Sequence, residues 1–209
     1  MTTMNKKNIS KTIYKFVFLY ATLFAINSSY AQSNQFTFTS SDLKNGSFDN
    51  KFILNAFGCT GENISPALEW KNIPAGTKSL SIQMHDPDAP TGAGFWHWAV
   101  YNIPATQTTL ARGAGNSPDK LPPQAFGGIS DFQDTGATGA NGNYGGPCPP
   151  QGDKPHNYTF TIYALDVEDI QKAAGIPKTG TPALYSFILN KAIGKSLLGK
   201  ASFTATFGR

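Results

Sequence analysis

Charge is scarce in this 209-residue chain, which holds 17 lysines and arginines, 13 aspartates and glutamates and three histidines. Its net charge of +4 comes from the N-terminus, because four of the lysines and none of the acids lie in residues 1–31. Residues 32–209 therefore carry 13 basic against 13 acidic side chains, and no basic excess is left to bind nucleic acid or an acidic membrane surface. Internal repeats and heptads are absent, which excludes solenoid and coiled-coil architectures. The histidines show neither H-E-x-x-H nor H-x-H spacing, so no metal motif stands out. No serine sits in a G-x-S-x-G elbow, a common seat for a hydrolase nucleophile.

Long apolar runs are also lacking. The apolar stretch at residues 16–26 follows Lys6, Lys7, Lys11 and Lys15 and precedes Ser29-Tyr30-Ala31. It is far short of the roughly 20 residues that span a bilayer. A basic start, a short apolar stretch and small residues at −3 and −1 read as a secretory signal peptide, cut between Ala31 and Gln32. A membrane anchor is the alternative, and no cysteine follows the cut to take a lipid. The expected organisation is a leader over residues 1–31 and a single domain over 32–209, periplasmic or secreted, with no transmembrane anchor in the mature chain. Only two cysteines are present, Cys59 and Cys148. In an exported chain a pair invites a disulfide, with two unpaired loop thiols as the alternative.

What is present is alternation. Residues 36–39, 79–84, 96–103, 158–165 and 202–207 read as strands. Helices are few and late. Asp166 is a candidate cap for a short one ending at Gly175. Thr181-Pro182 opens another, with Leu184, Phe187, Ile188 and Leu189 on one face and Gly194 as its stop. Strands first and helices last predict a mainly β, largely antiparallel core with helices attached. Between strands, residues 113–152 hold ten of the 21 glycines and six of the 14 prolines. A stretch that long between strands is usually functional or disordered. Its end, Tyr144-Gly145-Gly146-Pro147-Cys148-Pro149-Pro150, is stiffened by proline and reads as a site wall leading to His156.

Polar groups gather at strand ends. Asp86-Pro87-Asp88-Ala89-Pro90 follows a strand, His97 lies on the next, and His156 opens a later one. A hairpin would return His97 beside Asp86. His85 is read as structural. Imidazoles held by carboxylates can donate to a phosphate or carboxylate oxygen, and nearby aspartates favour the charged ring. Two histidines and a carboxylate could also hold a metal. Taken singly, the Asp-Pro-Asp is often only a capped turn, and a histidine on an aromatic strand is often a core residue.

With Cys59-Thr60-Gly61-Glu62-Asn63-Ile64-Ser65-Pro66 and Trp70, and with His156-Asn157-Tyr158 after the proline-rich wall, these blocks resemble the phosphatidylethanolamine-binding protein family, in its bacterial Raf-kinase-inhibitor-like branch. The resemblance covers nearly the whole of residues 32–209. It implies a β-sandwich of two antiparallel sheets with C-terminal helices and a small anion pocket for phosphate, acetate or a phospholipid head group. Asp86, His97 and His156 would form its polar floor and Asp88 would hold the turn. Pro90 would shape the rim, Tyr158 would add a wall, and the Gly145-Gly146 backbone would lie against the anion. Asn157 replaces the arginine of many relatives, which implies a weaker pull on an anion. The expected role is an exported binding protein with no cofactor, no metal and no catalytic residue. The alternatives are a protein–protein inhibitor of a kinase or hydrolase, and a hydrolase or metal enzyme using the Asp/His pocket.

The leader reading predicts that mass spectrometry of the exported protein finds an N-terminus at Gln32. Exported material that retains Met1 would count against it.

Overall fold

The strands build a sandwich whose middle layer is buried on both faces, in a computed structural model that describes residues 35–209. The expected leader over residues 1–31 lies outside the described residues. The strands in chain order are β1 (Thr37–Thr39), β2 (Leu68–Lys71), β3 (Ser79–Asp86), β4 (Phe95–Pro104), β5 (Thr109–Leu110), β6 (Phe126–Gly127), β7 (His156–Leu165) and β8 (Leu197–Phe207). They form two antiparallel sheets, one ordered β1-β2-β5 and one β6-β4-β3-β7-β8. The alternating stretches read from sequence are all strands. The short β2, β5 and β6 were not legible, since two to four residues are too few for a period to show.

The larger sheet separates two apolar layers. Leu80, Ile82 and Met84 of β3 face the smaller sheet together with Trp98, Val100, Phe160 and Ile162. Phe38 of β1 meets Phe203 of β8 edge-on across that layer, with ring centroids 5.2 Å apart. On the opposite face, Ala99, Tyr101, Tyr163 and Leu165 pack beneath the C-terminal helices α1 (Ile170–Ala174) and α2 (Pro182–Phe187). The single buried face expected for β3 is therefore incomplete. Its other face is buried too, and Gln83 there donates to the Tyr101 hydroxyl at 3.1 Å.

Two helix details depart from expectation. Asp169, not Asp166, caps α1 by accepting from the Lys172 amide, and Gly175 ends it in the left-handed region at φ 66°. Thr181 caps α2 as expected. The docked face of α2 is Pro182 and Tyr185, continued by Ile188 and Leu189, whereas Leu184 and Phe187 are exposed. Tyr185 stacks on Tyr101 at 4.0 Å, and a π-helical turn at Ile188–Ala192 shifts the helical phase beyond α2.

Two bulges shape β4. Leu80 pairs with Ile103 and Ile82 with Val100, so β4 spends an extra residue there. The second of these irregularities lies where Met84 pairs with Trp98 and His85 with Trp96, which leaves His97 unpaired. In the first, Asn102 takes φ 56°. Its side chain accepts from the Ile170 amide at 3.1 Å and donates to Gln171 at 3.0 Å, rooting α1 on the sheet. The second re-aims a side chain, with consequences for the site.

Cys59 and Cys148 are joined, their Cα atoms 6.0 Å apart and 89 residues apart in sequence. Closing so long a loop restricts the unfolded chain, so opening the bridge is expected to cost about 2–4 kcal/mol. Urea unfolding of Cys59→Ser/Cys148→Ser should show the loss as a lower midpoint, with a steeper slope because the opened chain exposes more surface when unfolded. An unchanged midpoint would contradict this account.

Candidate functional site

The polar groups converge at one end of the sandwich because the strands alternate. Along β7, His156 and Tyr158 share the inner face with Phe160 and Ile162. Asp86, two residues after Met84, ends β3 on the same face. His97 would face the other way in a regular strand, being next to the inward Trp98. The bulge turns it inward as well, edge-on to Tyr158 with centroids 5.1 Å apart. These four side chains are buried. They form the floor of a cavity of about 340 Å³ whose rim includes the exposed Pro90, Phe57 and Asp131.

The hydrogen bonds divide the expected site residues into two groups. Asp86 Oδ2 lies 2.7 Å from His156 Nδ1, and Asp86 Oδ1 accepts from the Asp88 amide at 2.9 Å. The other ring nitrogen of His156 is 3.4 Å from Asp153 Oδ2. His97 Nδ1 donates to the Gly145 carbonyl at 3.0 Å, since a carbonyl can only accept, and a neutral ring then offers Nε2 as an acceptor. Tyr158 Oη is buried beside Asp86, without a hydrogen bond of ordinary length among the described residues.

Asp88, Gly145 and Gly146 do not line the cavity. Asp88 points into the turn, bound to Lys154 Nζ at 2.9 Å and to the Asn157 amide and side chain at 2.9 and 2.8 Å. The Lys154 ammonium, then the two Asn157 donors, hold its carboxyl well below the usual carboxylate range. Asn157 thus faces outward and serves the Asp88 turn. The position expected to weaken the pull on an anion is therefore turned away from the floor. The Gly145 amide donates to the His97 carbonyl at 3.2 Å and the Gly146 amide to Asn63 Oδ1 at 2.8 Å, so both are committed within the protein. These glycines are wall supports where no side chain fits. A Cβ on Gly145 would lie 2.1 Å from Phe132, and one on Gly146 would lie 2.2 Å from the Phe52 carbonyl oxygen.

Sequence reasoning missed the apolar wall and one carboxylate. Phe95, Phe132 and His97 form a triangle of edge-on rings with centroids 4.8 to 5.3 Å apart, and Phe57 stacks over Phe132 at 6.3 Å. Asp131 is held at the rim by the Trp96 amide, 2.7 Å from its Oδ2. No local pattern announces Phe57, Asp131 or Phe132, because each joins the site through a distant loop.

Burial in this ring cage pushes the His97 imidazole down to about 4, against the opposing pull of Asp86. The expectation that neighbouring aspartates favour a charged ring is thereby corrected for His97, where desolvation outweighs attraction. Burial, then the Asp86 charge, raises the Tyr158 phenol, which stays a proton donor. The threonine hydroxyls on the wall, Thr91 and Thr135, donate to the Gly94 and Phe132 carbonyls, so neither is a free nucleophile. No cluster of three His, Cys, Asp or Glu side chains among the described residues could hold a metal ion. His85 lies apart, its Nε2 3.1 Å from the Ala93 carbonyl oxygen and its ring 4.2 Å from Trp96.

Comparison with known proteins adds an independent finding. A family model described as phosphatidylethanolamine-binding protein matches residues 43–208. YbcL of Escherichia coli is 42% identical over 172 residues, which cover 81% of this chain and 88% of YbcL. Its crystal structure, at 39% identity, covers 83% of this chain and 98% of YbcL with a TM-score of 0.71. YbhB of Escherichia coli is 42% identical over 137 residues, 65% of this chain and 82% of YbhB. LppC of Mycobacterium tuberculosis, whose name calls it a lipoprotein, is 36% identical over 151 residues, 72% of this chain and 63% of LppC.

The His97 environment makes a prediction about stability. Its folded value near 4 lies below the unfolded 6.5, so the unfolded chain binds more protons between those values. This part of the stability is fully present above pH 6.5 and is lost as pH falls toward 4. The loss is about 3 kcal/mol at most. His97→Phe should unfold in urea with a flatter pH profile than wild type over pH 4 to 6.5. Parallel profiles would show that His97 is not buried neutral.

Proposed function

The chain belongs to the phosphatidylethanolamine-binding protein family, in its bacterial branch with YbcL and YbhB, and we propose that it is an exported binding protein whose pocket takes a small phosphate- or carboxylate-bearing ligand such as a phospholipid head group. The observation that carries this reading is the Tyr158 hydroxyl. A buried donor without an acceptor costs about 1–3 kcal/mol, and Tyr158 is one of the residues that line the cavity. An anion oxygen in the cavity would supply the missing acceptor. His97 would supply a second contact by taking up a proton at Nε2, because a bound anion stabilises the charged ring.

Export is supported by the expected leader, by the Cys59–Cys148 bridge and by the lipoprotein name of LppC. The inhibitor and enzyme alternatives find less support. The hydroxyls on the wall are either engaged with carbonyls or held protonated.

Titration calorimetry with inorganic phosphate and with phosphoethanolamine tests the reading. Tyr158→Phe should weaken binding by about tenfold or more, the loss of a charge-assisted hydrogen bond. Without ligand, the same variant should be close to wild type in stability, because the hydroxyl makes no hydrogen bond of ordinary length among the described residues. Binding should be accompanied by proton uptake and should tighten as pH falls toward 4, the value of His97 in the empty pocket. Absence of binding by wild type from about pH 5 to 8 would overturn the proposal.

A further inference from the structure

The glycine-rich stretch over residues 113–152 also builds a second cavity. Its volume is about 330 Å³, close to that of the strand-end pocket, and the two share no lining residue. Twelve of its fourteen lining residues come from this stretch, and the other two are Lys178 and Thr179, on the turn before α2. Two glycines hold the wall together. A Cβ on Gly127 would lie 2.2 Å from the Gly142 carbonyl oxygen, and one on Gly142 would lie 2.7 Å from the Gly127 carbonyl oxygen. The loop that carries Asn143 therefore rests backbone to backbone on β6. A volume at the small end of the range for ligand cavities, about 300–1,000 Å³, suits a single ring.

The polar groups on this wall differ in sign from those of the strand-end pocket. Asp86 and Asp131 line that pocket, whereas Lys178 is the one charged residue among the described residues that line this cavity. Its Nζ sits 5.0 Å over the Phe126 ring and pairs with no carboxylate among the described residues. The neighbouring carboxylates are engaged, Asp119 with Ser117 and Asp134 with Gln133 and Asn141. The Thr179 hydroxyl makes no hydrogen bond among the described residues. Asn143, 7% exposed, donates to the Thr138 carbonyl at 3.0 Å, and Gln133 donates to the Asp134 carboxylate at 3.2 Å. Both partners can only accept, so each amide gives them its nitrogen and keeps an oxygen that takes no bond. The wall thus presents one cation and one hydroxyl beside two bare amide oxygens. The cation requires an anion. The oxygens require donors, and Lys178 disfavours ammonium donors, which leaves hydroxyls. A single lysine matches the single charge of a carboxylate better than the larger charge of a phosphate. We propose that this cavity binds a hydroxylated carboxylate of the sugar-acid class. The carboxylate takes Lys178 and Thr179, the hydroxyls donate to Asn143 and Gln133, and the carbon frame lies against Leu121 and Ile129.

The test titrates isotope-labelled protein with glucuronate and with glucose, which differ in the carboxylate, and follows the backbone amides by NMR. Wild type should bind glucuronate with about millimolar affinity, the scale for a ligand of that size. The shifts should fall on Phe126, Asn143 and Thr179 rather than on His97 and Tyr158. Glucose should bind about threefold to fivefold more weakly, the range for an exposed ion pair. Lys178→Gln should remove this preference and Lys178→Arg should keep it. Gln133→Ala should weaken both sugars by about twofold to tenfold, the loss of one neutral hydrogen bond. Lys178 and Gln133 are exposed, so these variants should fold as wild type does. Excess phosphoethanolamine should not displace glucuronate. No binding of glucuronate at about 10 mM overturns the proposal. So does equal binding of the two sugars, a preference that survives Lys178→Gln, an unaffected Gln133→Ala, or shifts and displacement that place glucuronate in the strand-end pocket.

Discussion

A carboxylate that is almost wholly removed from water must have partners, and the end of the sandwich is organised around that requirement. Asp86 and His156 are both 2% exposed and meet at 2.7 Å. Removing one member of such a buried pair commonly costs about 3–5 kcal/mol, because the other is left uncompensated. The contact ties the last residue of β3 to the first residue of β7, where the regular ladder gives out. It also fixes which ring nitrogen of His156 faces inward. Everything else about the pocket is placed relative to this contact. Tyr158 is two residues along the same face, and Asp88 closes the turn onto the second oxygen of Asp86.

The wall opposite is irregular backbone, and it is held by a different set of constraints. Asn63, in the left-handed region at φ 52°, accepts from the Gly146 amide and donates to the Tyr144 carbonyl. The disulfide brings Cys148 to the segment that carries Phe57. Arg209 adds a third tie, its guanidinium donating to the carbonyls of Pro149 and Phe57 at 2.7 and 3.3 Å. Such ties let an exposed phenylalanine stand at the mouth of a cavity without collapsing into it. Phe57 is 61% exposed and has φ 51°, a conformation that a bulky residue adopts only when its surroundings enforce it.

How much of this was legible depends on the range of the interactions. Asp86, His97 and His156 could be read because each lies at a strand end and strand ends are visible as breaks in alternation. The fold class came from the same alternation, together with late helix signals such as Thr181-Pro182. The inward turn of His97 could not be read, since a bulge is a property of pairing with β3 and leaves no mark in β4 alone. Nor could Phe57, Asp131 and Phe132 be assigned. Their place in the site comes from loops closed by the bridge and by Asn63. The placement of Asp88, Gly145 and Gly146 away from the cavity has the same origin. The sequence shows that a carboxylate and two glycines are near the site, while only their long-range partners show that Asp88 faces Lys154 and that both amides are already taken. Asp166 and Asp169 illustrate the limit at short range, because two aspartates three residues apart are equally good caps until the docking of Ile170 under Tyr101 picks one.

The pocket holds its polar groups in surroundings that disfavour them. A neutral, buried His97 and an unpartnered Tyr158 hydroxyl both lower stability relative to an apolar filling of the same space. Close-packed sandwiches rarely leave such groups beside a cavity, since apolar side chains would fill it at lower cost. The aromatic cage of Phe95, Phe132 and Tyr158 deepens the effect by excluding water from His97. That same exclusion strengthens any charge-assisted bond formed inside, because the interaction is not screened by solvent. Desolvation that disfavours the charged imidazole in the empty state therefore becomes, once an anion occupies the floor, the condition under which the ion pair is strongest.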